Sequence, residues 1–164
     1  MKQLFIEDST MIEQLRDEWK HTIDHDGGKC PICDRWGKVY KRNINNTMAK
    51  SLIWLCGASN GDWVDVPKVA PRWLVSSNQL PTLKWWGLID RKEQLDDTKK
   101  FSGFWKPTAL GIDFVYNAKE IPKSVFTYNN NVEGFSSELV NIRDCFDEHF
   151  NYSDVLSTSF ESLK

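Results

Sequence analysis

The sequence predicts an α+β fold, mainly helical, with one β-hairpin and a cysteine-bearing extension near its N-terminal end. Three observations predict it. Three stretches between residues 47 and 87 carry apolar residues at short-helix spacing. The segment LIDRKEQLDDTKKFSGFWKPT places two apolar ends around a charged middle, the pattern of a hairpin with a long polar tip. Cys30-Pro31-Ile32-Cys33 follows a helix pattern and has metal-ligand spacing.

Taken in order, STMIEQLRDEWKHTI reads as a helix: Ser9 or Thr10 caps it, and Met11, Leu15 and Trp19 recur on one face. Gly27 and Gly28 end it. After the cysteines, Val39 and Tyr40 mark a short strand. NNTMAKSLIWLCGAS is the next helix, capped by Asn46 or Thr47 and closed by Gly57, with Met48, Leu52 and Leu55 on one face. Trp63 to Val66 alternate as an extended piece. Helices are then expected over Pro67–Val75 and Leu80–Gly87, the second with Pro81 in its first turn. Leu88–Arg91 and Phe101–Lys106 should pair as antiparallel strands. Thr108 caps ALGIDFVYN, and the remainder reads as a second hairpin, SVFTYNNNVEGF, and a final helical segment, SELVNIRDCFDEHFNYSDVL.

Helix, extended piece, two helices, charged hairpin, helix is the element order of a winged helix, whose third helix enters a major groove while the hairpin "wing" meets the backbone. The expected organisation is an N-terminal helix and zinc-knuckle segment over 1–46, a winged-helix-like core over 47–123, and a C-terminal hairpin and helix over 124–164. LKWWGLIDR and FWKPTALGIDFV, with Thr108 and Gly111 as a T-x-x-G helix start, resemble the corresponding segments of MarR-like and PadR-like regulators over residues 47–116. The set CPIC, KVYKR, MAKSLI, LKWWGLI and SGFWKPTALGIDFV also resembles a family of small, mostly uncharacterised bacteriophage proteins, from Gly28 to Lys123. That resemblance implies phage origin and action in the bacterial host cytoplasm; it brings no activity with it.

Composition narrows the function classes. The chain has 164 residues, 40% hydrophobic, with eight tryptophans, enough for one domain and a small appendage. No apolar run reaches the ~20 residues of a membrane span, and the N-terminus lacks an apolar signal core. A cytoplasmic protein with reduced Cys30, Cys33, Cys56 and Cys145 is therefore expected. Net charge is -2, but residues 30–50 hold five basic and one acidic side chain, and residues 67–100 seven and four, between acidic ends. That asymmetry permits an anionic partner.

The CPxC pair admits zinc, redox or inert readings. His21 and His25 at i, i+4 complete H-x3-H-x4-C-x2-C, so the zinc reading takes Cys30, Cys33, His25 and His21 as ligands of a structural Zn2+. The redox reading lacks the helix that normally follows such a motif. Cys56 and Cys145 are expected in the core and His149 at the surface. Lys38, Lys41 and Arg42 with Trp36 and Tyr40 form a strip able to meet phosphates and stack on bases. Arg72, Ser77, Asn78, Gln79, Thr82 and Lys84 are the outward residues of the expected recognition region, with Leu80, Leu83, Trp85, Trp86 and Leu88 beneath. No G-x-S-x-G, Gly-rich phosphate loop or H-E-x-x-H occurs, and no small-molecule substrate is implied, so a binding protein is expected rather than an enzyme. Its partner is nucleic acid, with duplex DNA first, or a host protein that it binds and redirects or inhibits.

Overall fold

The computed structural model describes residues 2–94, 98 and 102–146. The elements are α1 (Lys2–Asp24), β1 (Gly28–Lys29), β2 (Trp36–Gly37), β3 (Tyr40–Asn43), α2 (Asn46–Ser59), β4 (Val64–Asp65), α3 (Val66–Val69) and α4 (Arg72–Ser77). A 3-10 helix (Leu80–Trp86), β5 (Ile89–Arg91), β6 (Phe104–Pro107), α5 (Ala109–Val115), β7 (Ile121–Pro122), β8 (Ser124–Tyr128), β9 (Asn131–Phe135), β10 (Leu139–Val140) and a 3-10 turn (Arg143–Cys145) follow. The fold is α+β, as expected. It is not mainly helical: small antiparallel sheets take much of the chain. The charges at the polar tip of the expected hairpin, Asp96, Asp97, Lys99 and Lys100, lie outside the described residues with Phe101, His149 and the end of the expected final helical segment; the described start of that segment is not an α-helix but β10 and a 3-10 turn. Among the described residues no helix is long and apolar enough to cross a membrane.

The chain divides into two compact units. One takes the chain to Arg42 together with Phe126–Gly134; the other takes Asn43–Val125 and the chain from Phe135 onward. In the first, α1 begins well before Ser9, because KQLFIED holds neither proline nor glycine to stop it. Its last turns pack on the β1–β2 hairpin, with Trp19 so close to Gly37 that any Cβ there would lie 2.8 Å from Trp19 Cζ2. Residues 40–42 of β3, 126–128 of β8 and 131–134 of β9 belong to this unit, as parts of a three-stranded sheet in that order. Asn129 and Asn130, at φ 52° and 63°, link β8 to β9 with the paired left-handed residues of a type I′ turn.

The second unit is organised around α2, buried on nearly every side: Ala49, Leu52, Ile53 and Leu55 are fully buried, and Trp54 almost so. Asn45, one residue before the expected caps, starts it by accepting from Met48 N at 2.9 Å. The helix runs through Gly57 and closes at Asn60, which takes the left-handed conformation at φ 46°. The expected helix over Pro67–Val75 is broken in two. Ala70 precedes Pro71 and is pushed out of the helical region to ψ 147°, so α3 stops and α4 starts afresh. Asn78 ends α4 in the left-handed region, and the Leu80–Trp86 segment winds as a 3-10 helix with Pro81 in its first turn. Leu80, Leu83, Trp86 and Leu88 are buried, as expected of core residues, and Trp85 is partly so.

β5 and β6 pair antiparallel, Ile89 opposite Pro107 and Arg91 opposite Trp105, and β4 pairs on the other side of β6, giving the order β4-β6-β5. The T-x-x-G start of α5 now has a physical cause. Thr108 Oγ accepts from Gly111 N at 3.1 Å and donates to Gly87 O at 2.6 Å, tying the helix start to the end of the 3-10 helix. A Cβ at Gly111 would run into Leu88 O, so only glycine permits this approach.

Candidate nucleic-acid interface and cysteine knuckle

β1 and β2 pair Gly28 with Gly37 and Lys29 with Trp36, which puts the CPIC turn at the tip of a two-strand hairpin. Cys30 N donates to Arg35 O at 2.8 Å and Asp34 N to Cys30 O at 2.9 Å, with Asp34 in the left-handed region at φ 61°. The Cys30 thiol is held below its ordinary value, first by the backbone N–H of Cys33, then by that of Ile32; partial burial opposes this and the Cys33 side chain adds to it. Amides aimed at a sulfur in this way favour the thiolate, the form that ligates metal or reacts. Cys33 and Ile32 are exposed.

His21 and His25 do come together, but with each other. Their rings stack at 4.2 Å between centroids, and His25 Nδ1 lies 2.8 Å from His21 O. Among the described residues no three His, Cys, Asp or Glu side chains are grouped so as to hold a metal ion, so the four expected ligands are present as a thiol pair and a separate imidazole pair. Cys56 and Cys145 are partly buried against the core, and desolvation pushes each thiol up to about 12.

The basic strip falls beside the knuckle. Trp36 and Tyr40 are 58% and 46% exposed, far more than core packing would leave them. Along β3 successive side chains alternate, so Tyr40 and Arg42 share one side while Lys41 faces the other. Lys38 Nζ and Arg42 Cζ each lie 5.8 Å from the Tyr40 ring centroid. Arg35, Trp36, Lys38 and Tyr40 line a shallow recess of about 170 Å³ with Tyr128 and Asn129 from the β8–β9 hairpin. Tyr128 and Asn129 escape the sequence reading, because nothing local says that a hairpin some ninety residues downstream returns beside this strip.

The second expected patch belongs to the other unit. Arg72, Asn78 and Lys84 are exposed there. Ser77 and Gln79 are committed internally: Ser77 Oγ donates to Leu74 O at 2.8 Å, and Gln79 Oε1 accepts from Asn45 Nδ2 at 2.9 Å. Thr82 Oγ donates to Gln79 O. The sheet of this unit carries a row of cation–aromatic pairs unforeseen from sequence: Arg91 over Trp105 at 4.2 Å, Lys106 over Trp63 at 4.7 Å and Lys92 over Phe104 at 5.4 Å. Burial lowers the Arg91 guanidinium from its ordinary value. Arg91 and Trp105 also line a half-open cavity of about 510 Å³ with Asp65, Leu74, Gln94 and Ser102. The recurrence of Arg or Lys beside Trp or Phe in these strands was the available signal; only the register reveals it. No protein-family model, curated protein or solved structure matches the chain.

Proposed function

We propose that the protein binds nucleic acid, as a binding protein rather than an enzyme, through the basic–aromatic face of its first unit. The observation that carries this is the pair of exposed rings, Trp36 and Tyr40, set with Arg35 and Lys38 around one recess, with Arg42 beside the Tyr40 ring. Cations meet phosphates and release condensed counterions; exposed rings accept bases. A face built from rings favours strands with unpaired bases over a closed duplex, whose bases are already stacked. The winged-helix reading of the second unit is supported by the strand order β4-β6-β5 and by the helical segments ahead of the β5–β6 hairpin. The segment meant to read bases is a six-residue helix and a seven-residue 3-10 helix, with Ser77 and Gln79 tied up. That shifts the weight of the proposal to the first unit. A regulatory role in a phage-infected cell rests on the motif resemblances at Cys30–Cys33 and Leu83–Ile89.

Fluorescence anisotropy with single-stranded and duplex oligonucleotides at low and moderate salt tests the proposal. Expected is salt-sensitive binding, tighter for the single strand, accompanied by quenching of tryptophan emission. Absence of binding tighter than millimolar at low salt rejects it. The rival reading, docking onto a host protein, is favoured by one observation: Val69, Trp73 and Val75 stand 55%, 43% and 47% exposed on the neighbouring short helices α3 and α4. Capture of the same host protein from lysate with and without nuclease treatment would move the conclusion there.

A further inference from the structure

We propose that Cys30 and Cys33 form half of a tetrahedral zinc site completed by the same two cysteines of a second copy of this chain. Zinc in a structural site takes four ligands, and a CxxC turn delivers two from one backbone loop. Three features of the knuckle argue for a site shared between tips. The thiols sit at the end of a hairpin whose closing bonds, Cys30 N to Arg35 O and Asp34 N to Cys30 O, hold the turn before any metal arrives. The tip is open: Cys33 is exposed and Ile32, between the cysteines, is 70% exposed, an apolar side chain that contact between two tips would cover. The imidazoles stack on each other, and among the described residues neither is grouped with the two thiols into a metal-binding set, so the remaining ligands have to come from elsewhere.

The resulting centre is Zn(Cys)4, with Zn–S distances of ~2.3 Å. Each of the four thiols gives up its proton on ligation, so binding strengthens as pH rises. This inference is independent of the nucleic-acid reading. It makes the metal a clasp between chains rather than a staple within one, and it would double the basic–aromatic face presented to a strand.

The experiment uses the full chain, purified without chelator and kept in a phosphine reductant. Elemental analysis is combined with mass measurement by light scattering or sedimentation. Expected is one zinc per two chains in a dimer that a chelator converts to zinc-free monomer. The double variant His21→Ala/His25→Ala should keep both zinc and dimer, whereas Cys33→Ser should lose both while retaining its far-UV circular dichroism. Should Cys33→Ser fail to fold, cobalt substitution of the parent chain decides: its thiolate charge-transfer intensity should correspond to four sulfurs per metal. One zinc per chain in a monomer, two thiolates per cobalt, a dimer indifferent to chelator, or protein purified free of zinc overturns the proposal.

Discussion

Tyr40 is the residue on which the nucleic-acid reading turns, because it is exposed and has two cations beside its ring. Stacking on one base is worth ~1–3 kcal/mol by alanine substitution, so Tyr40→Ala should weaken single-strand binding by about 5- to 150-fold while leaving the melting temperature nearly unchanged. Titration by anisotropy checks the first and a thermal melt the second; a large drop in stability would instead make Tyr40 a packing residue. The four thiols differ for equally local reasons. In chelator-treated protein at pH 8, iodoacetamide should modify Cys30 first, favoured by its amide donors, and spare Cys56 and Cys145, whose thiols burial pushes to about 12. Mass spectrometry of native against denatured protein reads this directly. The same burial sets a pH dependence. The folded values lie above the ordinary 9.0, so the unfolded chain loses these protons first; the stability they contribute is complete below pH 9 and is lost as pH rises toward 12.

At the scale of elements, the junction between the 3-10 helix and α5 is the most constrained in the second unit. Thr108 caps α5 and holds Gly87 O, while Gly111 lets the helix meet Leu88 O. Gly111→Ala must displace backbone rather than a side-chain end, so a loss of about 3 kcal/mol is expected, at the upper end of the overpacking range. Denaturant titration measures it; a loss below about 1 kcal/mol would show that α5 shifts freely. The T-x-x-G pattern was legible in the sequence, and so was the helix it begins. The breaks at Ala70–Pro71 and Asn78 were only half legible. Pro71 announces a boundary, since the residue before a proline avoids the helical region, but nothing local says that the chain resumes helix at once, or that Leu80–Trp86 winds as 3-10.

The strip around Tyr40 and the patch of Arg72, Asn78 and Lys84 fall in different compact units, and that separation is testable. Lys38→Glu with Arg42→Glu, the two cations beside the Tyr40 ring, should reduce affinity for nucleic acid and flatten its salt dependence, because each lost phosphate contact removes about one unit of slope. Arg72→Glu with Lys84→Glu, on the other unit, should leave both close to the parent values. Equal effects from the two pairs would return the duplex-reading second unit to first place. The core around α2 sets the stability of that unit: Leu52 is fully buried there, so Leu52→Ala should cost about 2–5 kcal/mol.

Some features were determined by the sequence alone, because they depend on neighbours along the chain. Residues a few positions apart set the helix at Asn46–Ser59, the Thr108 cap, the β5–β6 hairpin and the amides that meet the Cys30 sulfur. The sequence also marked Trp36, Lys38, Tyr40, Lys41 and Arg42 as a strip, of which strand alternation turns Lys41 to the other side. What only the tertiary structure decided depends on residues far apart in the chain. Tyr128 and Asn129 join the recess with Trp36 and Tyr40, Arg91 meets Trp105 across a register, and Gln79 is drawn to Asn45 and away from solvent. The histidines pair with each other because a helix end and its turn place their rings face to face, a geometry that i, i+4 spacing permits equally with a shared metal. Spacing tells which side chains can reach one another; which contact forms is settled by the competing partners that folding brings alongside.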